Sequence, residues 1–238
     1  MIADCAPFPE TGPTLRERFN LYAPIGRREG DGIALHRGFT LTELLVTVVI
    51  VGILAGIGVP AMRQFISDQR LGSSTNEFIA DLKLARSEAI RRGTTISICK
   101  TTDATAATPS CDTANIGSAW TTGWIVFVDA NGGSGSSAGN GILETGEAVL
   151  RIHQSLPSSV SLYGDHSATG TGLFITYNAS GSTTLVPTSL NSENQLVVCD
   201  TRGPEEARSI IINPIGRVRV PAKGSDMNGN ALTTASCS

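Results

Sequence analysis

The chain is predicted to adopt an α+β fold, one long N-terminal helix whose second half packs on an antiparallel β-sheet head domain. Three observations predict it. Residues 44–62 form a run of nineteen residues without a charge, about 28 Å long as a helix, which matches the hydrocarbon core of a bilayer. Farther along, Leu71, Thr75, Phe78, Leu82, Ala85 and Ala89 fall within a stripe of ~80° when plotted at 100° per residue, the signature of an amphipathic helix. After Gly93 the helical period gives way to short β-branched and aromatic runs separated by turn residues, the pattern of strands.

The elements follow in chain order. Residues 1–38 carry five basic and five acidic residues, scattered Pro and Gly, and no amphipathic period. They read as a disordered cytoplasmic leader or as a start codon set too far upstream, and Cys5 lies within them. The 200 residues that remain suit one domain of roughly 150 residues on a long helix. That helix is expected over residues 40–92. Residues 39–62 are its transmembrane half and 63–93 its amphipathic half, with Glu77, Asp81 and Glu88 on the side away from the apolar stripe. Glu88 and Arg92 form a favourable i,i+4 pair and Gly93 is a natural C-cap. The head covers residues 94–238, with strands expected at 94–99, 124–128, 148–152, 173–177, 196–198 and 210–212. Residues 131–141 are a Gly/Ser/Asn-rich surface loop, and Trp120 and Trp124 belong to core or sheet.

Charge and cysteine content limit the function classes. The whole chain has 18 basic and 21 acidic residues, net −3, and removing the leader leaves that net charge unchanged. No global field attracts nucleic acid, so a polyanion site has to be a local patch. Cys99, Cys111, Cys199 and Cys237 are an even set outside the leader, as befits disulfides in an oxidising compartment. Of the three possible connectivities, Cys99 with Cys111 and Cys199 with Cys237 join nearest neighbours, the second tying the C-terminus to a strand. Zinc is disfavoured because there is no CxxC and His36, His153 and His166 are scattered. Three arginines (27, 28, 37) before the span and two (63, 70) after it give a weak positive-inside bias, and the cysteines place the head in the periplasm.

A carboxylate at the edge of an apolar span is costly unless paired, so Glu43 is read as functional with a cationic partner. The alternative is an ordinary signal anchor with Glu43 at the interface. A cleaved secretory signal does not fit, because no small-residue cleavage site precedes Arg63. The stretch Arg37-Gly38-Phe39-Thr40-Leu41-Thr42-Glu43 resembles a type III prepilin signal. This resemblance implies a prepilin peptidase that cuts between Gly38 and Phe39, methylation of the new N-terminus, and a single-pass subunit in the inner membrane. An assembly platform would extract it into a filament with other pilins. There Glu43 would meet the N-terminal amine of an adjacent subunit. Pro60 falls where pilin helices commonly carry a kinking proline. Leu84-Ala85-Arg86-Ser87-Glu88-Ala89-Ile90-Arg91-Arg92-Gly93 and Gly123-Trp124-Ile125-Val126-Phe127-Val128-Asp129 narrow the resemblance to the GspH/FimT group of minor pilins and pseudopilins, which implies the type IV pilin-like fold.

The best candidate site lies near the C-terminus. Asn213-Pro214-Ile215-Gly216 fits a type I turn closed by a left-handed glycine. The resulting three-residue loop pairs Asn213 with Arg217, Ile212 with Val218, Ile211 with Arg219 and Ile210 with Val220. This register gathers Ile210, Ile212, Val218 and Val220 on one face, whereas a two-residue loop would set isoleucines beside arginines. Arg217 and Arg219 then project together from the other face, ~6.7 Å apart at ~3.3 Å per residue. Residues 207–224 contain Arg208, Arg217, Arg219 and Lys223 and no acid, a local fork for backbone phosphates. Gly216-Arg217-Val218-Arg219 resembles the GRxR motif of FimT-type minor pilins, which implies capture of extracellular DNA in natural transformation. Three alternatives stay open: a solvated edge strand kept from aggregating by its arginines, a contact with a neighbouring pilin, or a structural pseudopilin H at the tip of a type II secretion pseudopilus that binds no DNA. Any DNA binding would be non-specific, since no helix is offered to a major groove and no aromatic row to unpaired bases.

No enzyme is expected, and no cofactor or metal. Gly135-Ser136-Ser137-Ala138-Gly139 matches GxSxG but lies in the low-complexity loop rather than at a strand-to-helix elbow. Asp129-Ala130-Asn131 opens like a calcium loop, yet Gly133 and Asn140 stand where further ligands belong, leaving Glu144 or Glu147 for an irregular site.

Overall fold

A computed structural model describes residues 38–112, 119–130, 139–164, 174–183 and 194–237. The expectations placed on the leader, His36, His166 and the GxSxG segment up to Ala138 lie outside these residues. The chain divides into two compact units, residues 1–50 and 51–238.

In the first unit the entrance of helix α1 (Leu41–Arg92) carries a capping box. Glu43 N donates to Thr40 Oγ1 at 3.3 Å, and Thr40 N donates back to Glu43 Oε2 at 3.0 Å. Each closes a helix-end donor that would otherwise be unpaired. The Thr40 hydroxyl also donates to the same carboxylate at 2.9 Å. The Glu43 carboxylate therefore has partners within its own chain.

α1 continues through Pro60 to Arg92. Its apolar window has a mean hydropathy of 2.6 and buries nothing; Leu54 is 65% and Ile57 72% exposed. From Leu71 on, the face reverses character. All six residues of the predicted stripe are buried, and Ser74 and Asp81 are buried beside them. The helix stops at Gly93, whose φ of +66° accompanies amide bonds from Gly93 and Thr94 back to Ala89 O, a left-handed stop that glycine adopts without strain.

Eight strands follow: β1 (Ile96–Lys100), β2 (Trp124–Val128), β3 (Val149–His153), β4 (Val160–Tyr163), β5 (Phe174–Tyr177), β6 (Asn194–Asp200), β7 (Arg208–Ile212) and β8 (Val218–Arg219). They form two four-stranded sheets, β3-β2-β1-β5 and β4-β6-β7-β8, antiparallel throughout. β4 is an addition to the strands read from the sequence. Its four residues are too short a run to stand out, although Val160 and Leu162 alternate inward.

One core gathers Phe78, Leu82, Ala85 and Ala89 of α1 with Ile96 and Ile98, Trp124 and Val126, Ile175 and Tyr177, Leu196 and Val198, and Ile210 and Ile212. The period of two along each strand delivers these side chains to the helix. Trp120 and Trp124 are both fully buried and meet Phe78 edge-on, at 5.5 and 4.9 Å between ring centroids, a favoured aromatic geometry. The outer faces are covered as well. Cys99, Ile125 and Phe127 pack under Cys111, Leu143 and Phe174, while Val197, Cys199 and Ala207 pack under Leu232 and Cys237. Each outer cluster contains one disulfide, Cys99–Cys111 and Cys199–Cys237. The second closes a separation of 38 residues and fastens the C-terminal segment over β6.

Asp81 corrects the helical-wheel reading that placed it on the side away from the core. It sits at the margin of the stripe, and the β2–β3 hairpin wraps over that margin. Trp124 Nε1 donates to Asp81 Oδ2 at 2.8 Å. Arg151 Nη1 of β3 lies 3.0 Å from Oδ1, at an angle that makes it an ion pair rather than a hydrogen bond.

Candidate nucleic-acid interface

The C-terminal hairpin folds in the register its hydrophobic pattern requires. Ile211 faces Arg219 and Ile212 faces Val218. Asn213 N donates to Arg217 O at 3.1 Å, and Gly216 N to Asn213 O at 2.8 Å. Asn213 Oδ1 accepts the Arg217 amide at 2.8 Å, an Asx-type bond that closes the loop from inside. Pairing ends at Arg219, so the further pair of Ile210 with Val220 is absent from the ladder; Pro221 follows Val220 and has no amide to extend it. Gly216 has a φ of +76°, and a Cβ there would stand 2.0 Å from Gly181 O. Glycine is required at this position on both counts.

Arg217, just ahead of β8, and Arg219 within it are both exposed. Together with Ile211, Asn213 and Val218 they line a cleft of about 240 Å³, with no carboxylate in its lining among the described residues. The Arg217 guanidinium makes no ion pair among the described residues. Arg219 Nη2 donates to Met227 O at 3.2 Å, which steadies that side chain from the loop beyond the strand. That loop is itself ordered by Asp226, which accepts the Asn228 and Asn230 amides at 2.8 Å each. Burial raises the Asp226 pKa, but the bonds from Asn230, Asn228 and Gly229 outweigh it and hold the carboxyl below its usual range.

The other two basic residues grouped with this pair from the sequence are elsewhere. Arg208 opposes Val198 and alternates with Ser209, so it shares the side of Ile210 and Ile212 that faces α1 rather than the side of Arg219. Lys223 is ion-paired with Glu206, which also receives Arg202 Nη1 at 3.2 Å. Arg202 continues the network to Asp68 of α1 at 2.8 Å and to Asp200 at 2.6 Å. The bond from Arg202 lowers the Asp68 pKa, the positive charges of Lys223 and Arg208 adding to it. Glu206 stands just outside the acid-free segment of sequence, which is why its pairing with Lys223 could not be read there.

Sequence reasoning also passed over Arg86. From α1 it donates Nε to Gly181 O at 2.9 Å and Nη2 to Ile215 O at 3.0 Å, reaching the hairpin tip. In the sequence its only mark is its place within the Leu84 to Gly93 stretch.

The remaining expected sites are simpler. Gly38 and Phe39 are both exposed ahead of α1, Phe39 by 81%. Asp129, at the head of the Gly-rich loop, accepts Ser97 Oγ at 2.6 Å, Gly139 N at 2.7 Å and Gly141 N at 2.8 Å. Its carboxylate thereby ties residues 139 and 141 to β1. His153 stacks on Trp124 with centroids 3.9 Å apart and places Nε2 3.3 Å from Glu77 Oε2, a tie between β3 and α1.

A family model described as type II transport protein GspH matches residues 74–216, and one for the prokaryotic N-terminal methylation motif matches residues 34–59. Among solved structures, the type IV minor pilin FimU of Pseudomonas aeruginosa strain PAO1 is similar in two crystal forms. In one it shares 21% identity over 69% of this chain and 99% of its own, with a TM-score of 0.44. In the other the identity is again 21%, the shares are 72% and 98%, and the TM-score is 0.47. The GspH match covers more than half of the 238 residues, and a methylation motif lies ahead of it at the start of a membrane-length helix, so the chain belongs to the family of type II transport protein GspH.

Proposed function

We propose that this subunit captures DNA without sequence preference, through the phosphates, at the cleft between Arg217 and Arg219, and that it serves DNA uptake. In this reading the leader is cut after Gly38 by a prepilin peptidase and Phe39 is methylated. The helix holds the protein in the inner membrane with its head in the periplasm until an assembly platform draws it into a filament. Glu43, closed on Thr40 in the single subunit, exchanges that partner for a neighbour's N-terminal amine.

The observation that carries the DNA reading is the pairing of two exposed guanidiniums around one cleft whose lining has no acid among the described residues. Guanidinium forks suit phosphate oxygens, and the GRxR resemblance of residues 216–219 supports the same ligand. The family match ends at Gly216, one residue before the pair. With two phosphates engaged rather than four, since Arg208 lies on the α1-facing side of its sheet and Lys223 is paired with Glu206, affinity should be modest and salt-sensitive.

A second reading is favoured by the description of the matching family: a structural part of a type II secretion pseudopilus that contacts other subunits and no DNA. A gel-shift of the full chain in non-ionic detergent separates the two. The DNA reading expects retardation of a duplex at low salt by wild type and its loss in Arg217→Ala/Arg219→Ala. Equal retardation by both proteins, or none by either, removes it.

A further inference from the structure

We infer that Arg86 is a positioning residue that pre-organises the arginine hairpin from the helix; this rests on the phosphate-binding reading of that hairpin. The hairpin has little to hold its tip. β8 pairs with β7 over only two residues, and Pro214 and Ile215 at the turn are exposed, Ile215 by 55%, so no apolar anchor fixes the loop to the core. Arg86 supplies a polar one. Its Nε and Nη2 donate to two carbonyls, Gly181 O at 2.9 Å and Ile215 O at 3.0 Å, and thereby clasp the turn after β5 and the hairpin turn together.

The two loops are made to meet at this point. A Cβ on Gly216 would clash with Gly181 O, and one on Gly181 would lie 2.6 Å from Ile90 Cδ1 of α1. Both glycines have positive φ, +77° and +76°. Thr183 N adds a bond to Pro214 O at 3.0 Å. A rigid guanidinium fork matches this pair of acceptors where a lysine ammonium would not. Arg86 does not line the cleft, so its charge is spent inward while Arg217 and Arg219 face out. The effect is to hold the platform of the two ligand-facing arginines before DNA arrives, removing an ordering cost that binding would otherwise bear.

The test measures duplex affinity against salt for the full chain in detergent, alongside backbone hydrogen exchange by mass spectrometry. Arg86→Ala is expected to weaken binding about three- to tenfold, the ordering cost of one or two long side chains. The log–log salt slope should stay unchanged, because no phosphate contact is lost. Exchange should accelerate in the segments holding Thr183 and Gly216 and remain at wild-type rates in β1 and β2. Arg86→Lys, which keeps the charge but not the fork, should fall between the two. Wild-type affinity in Arg86→Ala overturns the inference. A slope reduced by about 0.9 does so too, since it would make Arg86 a phosphate contact, and faster exchange throughout β1 and β2 would reduce its role to general stability. Should the wild type itself bind no DNA, the phosphate reading fails, and positioning is then decided by the exchange rates alone.

Discussion

Asp81 illustrates how far a single side chain can depart from the pattern around it. Among apolar neighbours its carboxylate is retained because Trp124 Nε1 hydrogen-bonds Oδ2 and Arg151 ion-pairs with Oδ1, contacts that join the helix to two strands. Asp81→Ala leaves the indole N–H without an acceptor and should cost about 1–3 kcal/mol, whereas Asp81→Asn keeps an acceptor and should cost less. Urea unfolding followed by tryptophan fluorescence checks this, since Trp120 and Trp124 are the only two tryptophans and both are buried in the core. Equal midpoints for wild type and Asp81→Ala would show the bonds to be worthless. Other residues were readable from sequence for a stated reason. Gly216 follows from turn chemistry, and the nearest-neighbour cysteine pairs are those the structure joins. Arg208 and Lys223 were not, because proximity in sequence says nothing of which sheet face a residue takes or which acid from the next turn meets it. Arg86 was hidden more deeply, its acceptors being 95 and 129 residues away.

The helix and the hairpin were readable because each is specified locally, the helix by its stripe and glycine stop, the hairpin by a register that only one loop length satisfies. The order of strands within the two sheets is set by long-range pairing, which local pattern does not encode, and β4 is too short to announce itself. The end of α1 makes a pH prediction. Glu88 accepts bonds from Arg91 and Arg92, which together bring its pKa down from 4.5 to about 2. A carboxylate with a depressed folded pKa contributes stability that is complete above its unfolded value and is lost as pH falls toward the folded one. The melting temperature of wild type should therefore exceed that of Glu88→Gln by a small margin at pH 6, as befits exposed pairs, and the margin should close between about pH 4.5 and 2. A margin that widens on acidification would contradict the pairing.

Across the whole chain, the membrane-length apolar window of α1 stays unburied, while the β-rich head is held by two disulfides. Family membership accounts for the helix, as a membrane anchor that can later serve in a filament with other subunits. The head carries a two-guanidinium cleft on a chain of net charge −3. With no global attraction for polyanions, binding must come from few local contacts, and counterion release counts them. The decisive measurement is the slope of log affinity for duplex DNA against log salt, for the full chain and for Arg217→Ala/Arg219→Ala. A linear fall is expected in wild type, with the slope shallower by about 1.8 in the double variant, roughly 0.9 for each phosphate contact removed. The same slope in both proteins, or wild-type binding that salt does not weaken, would contradict phosphate capture by this hairpin.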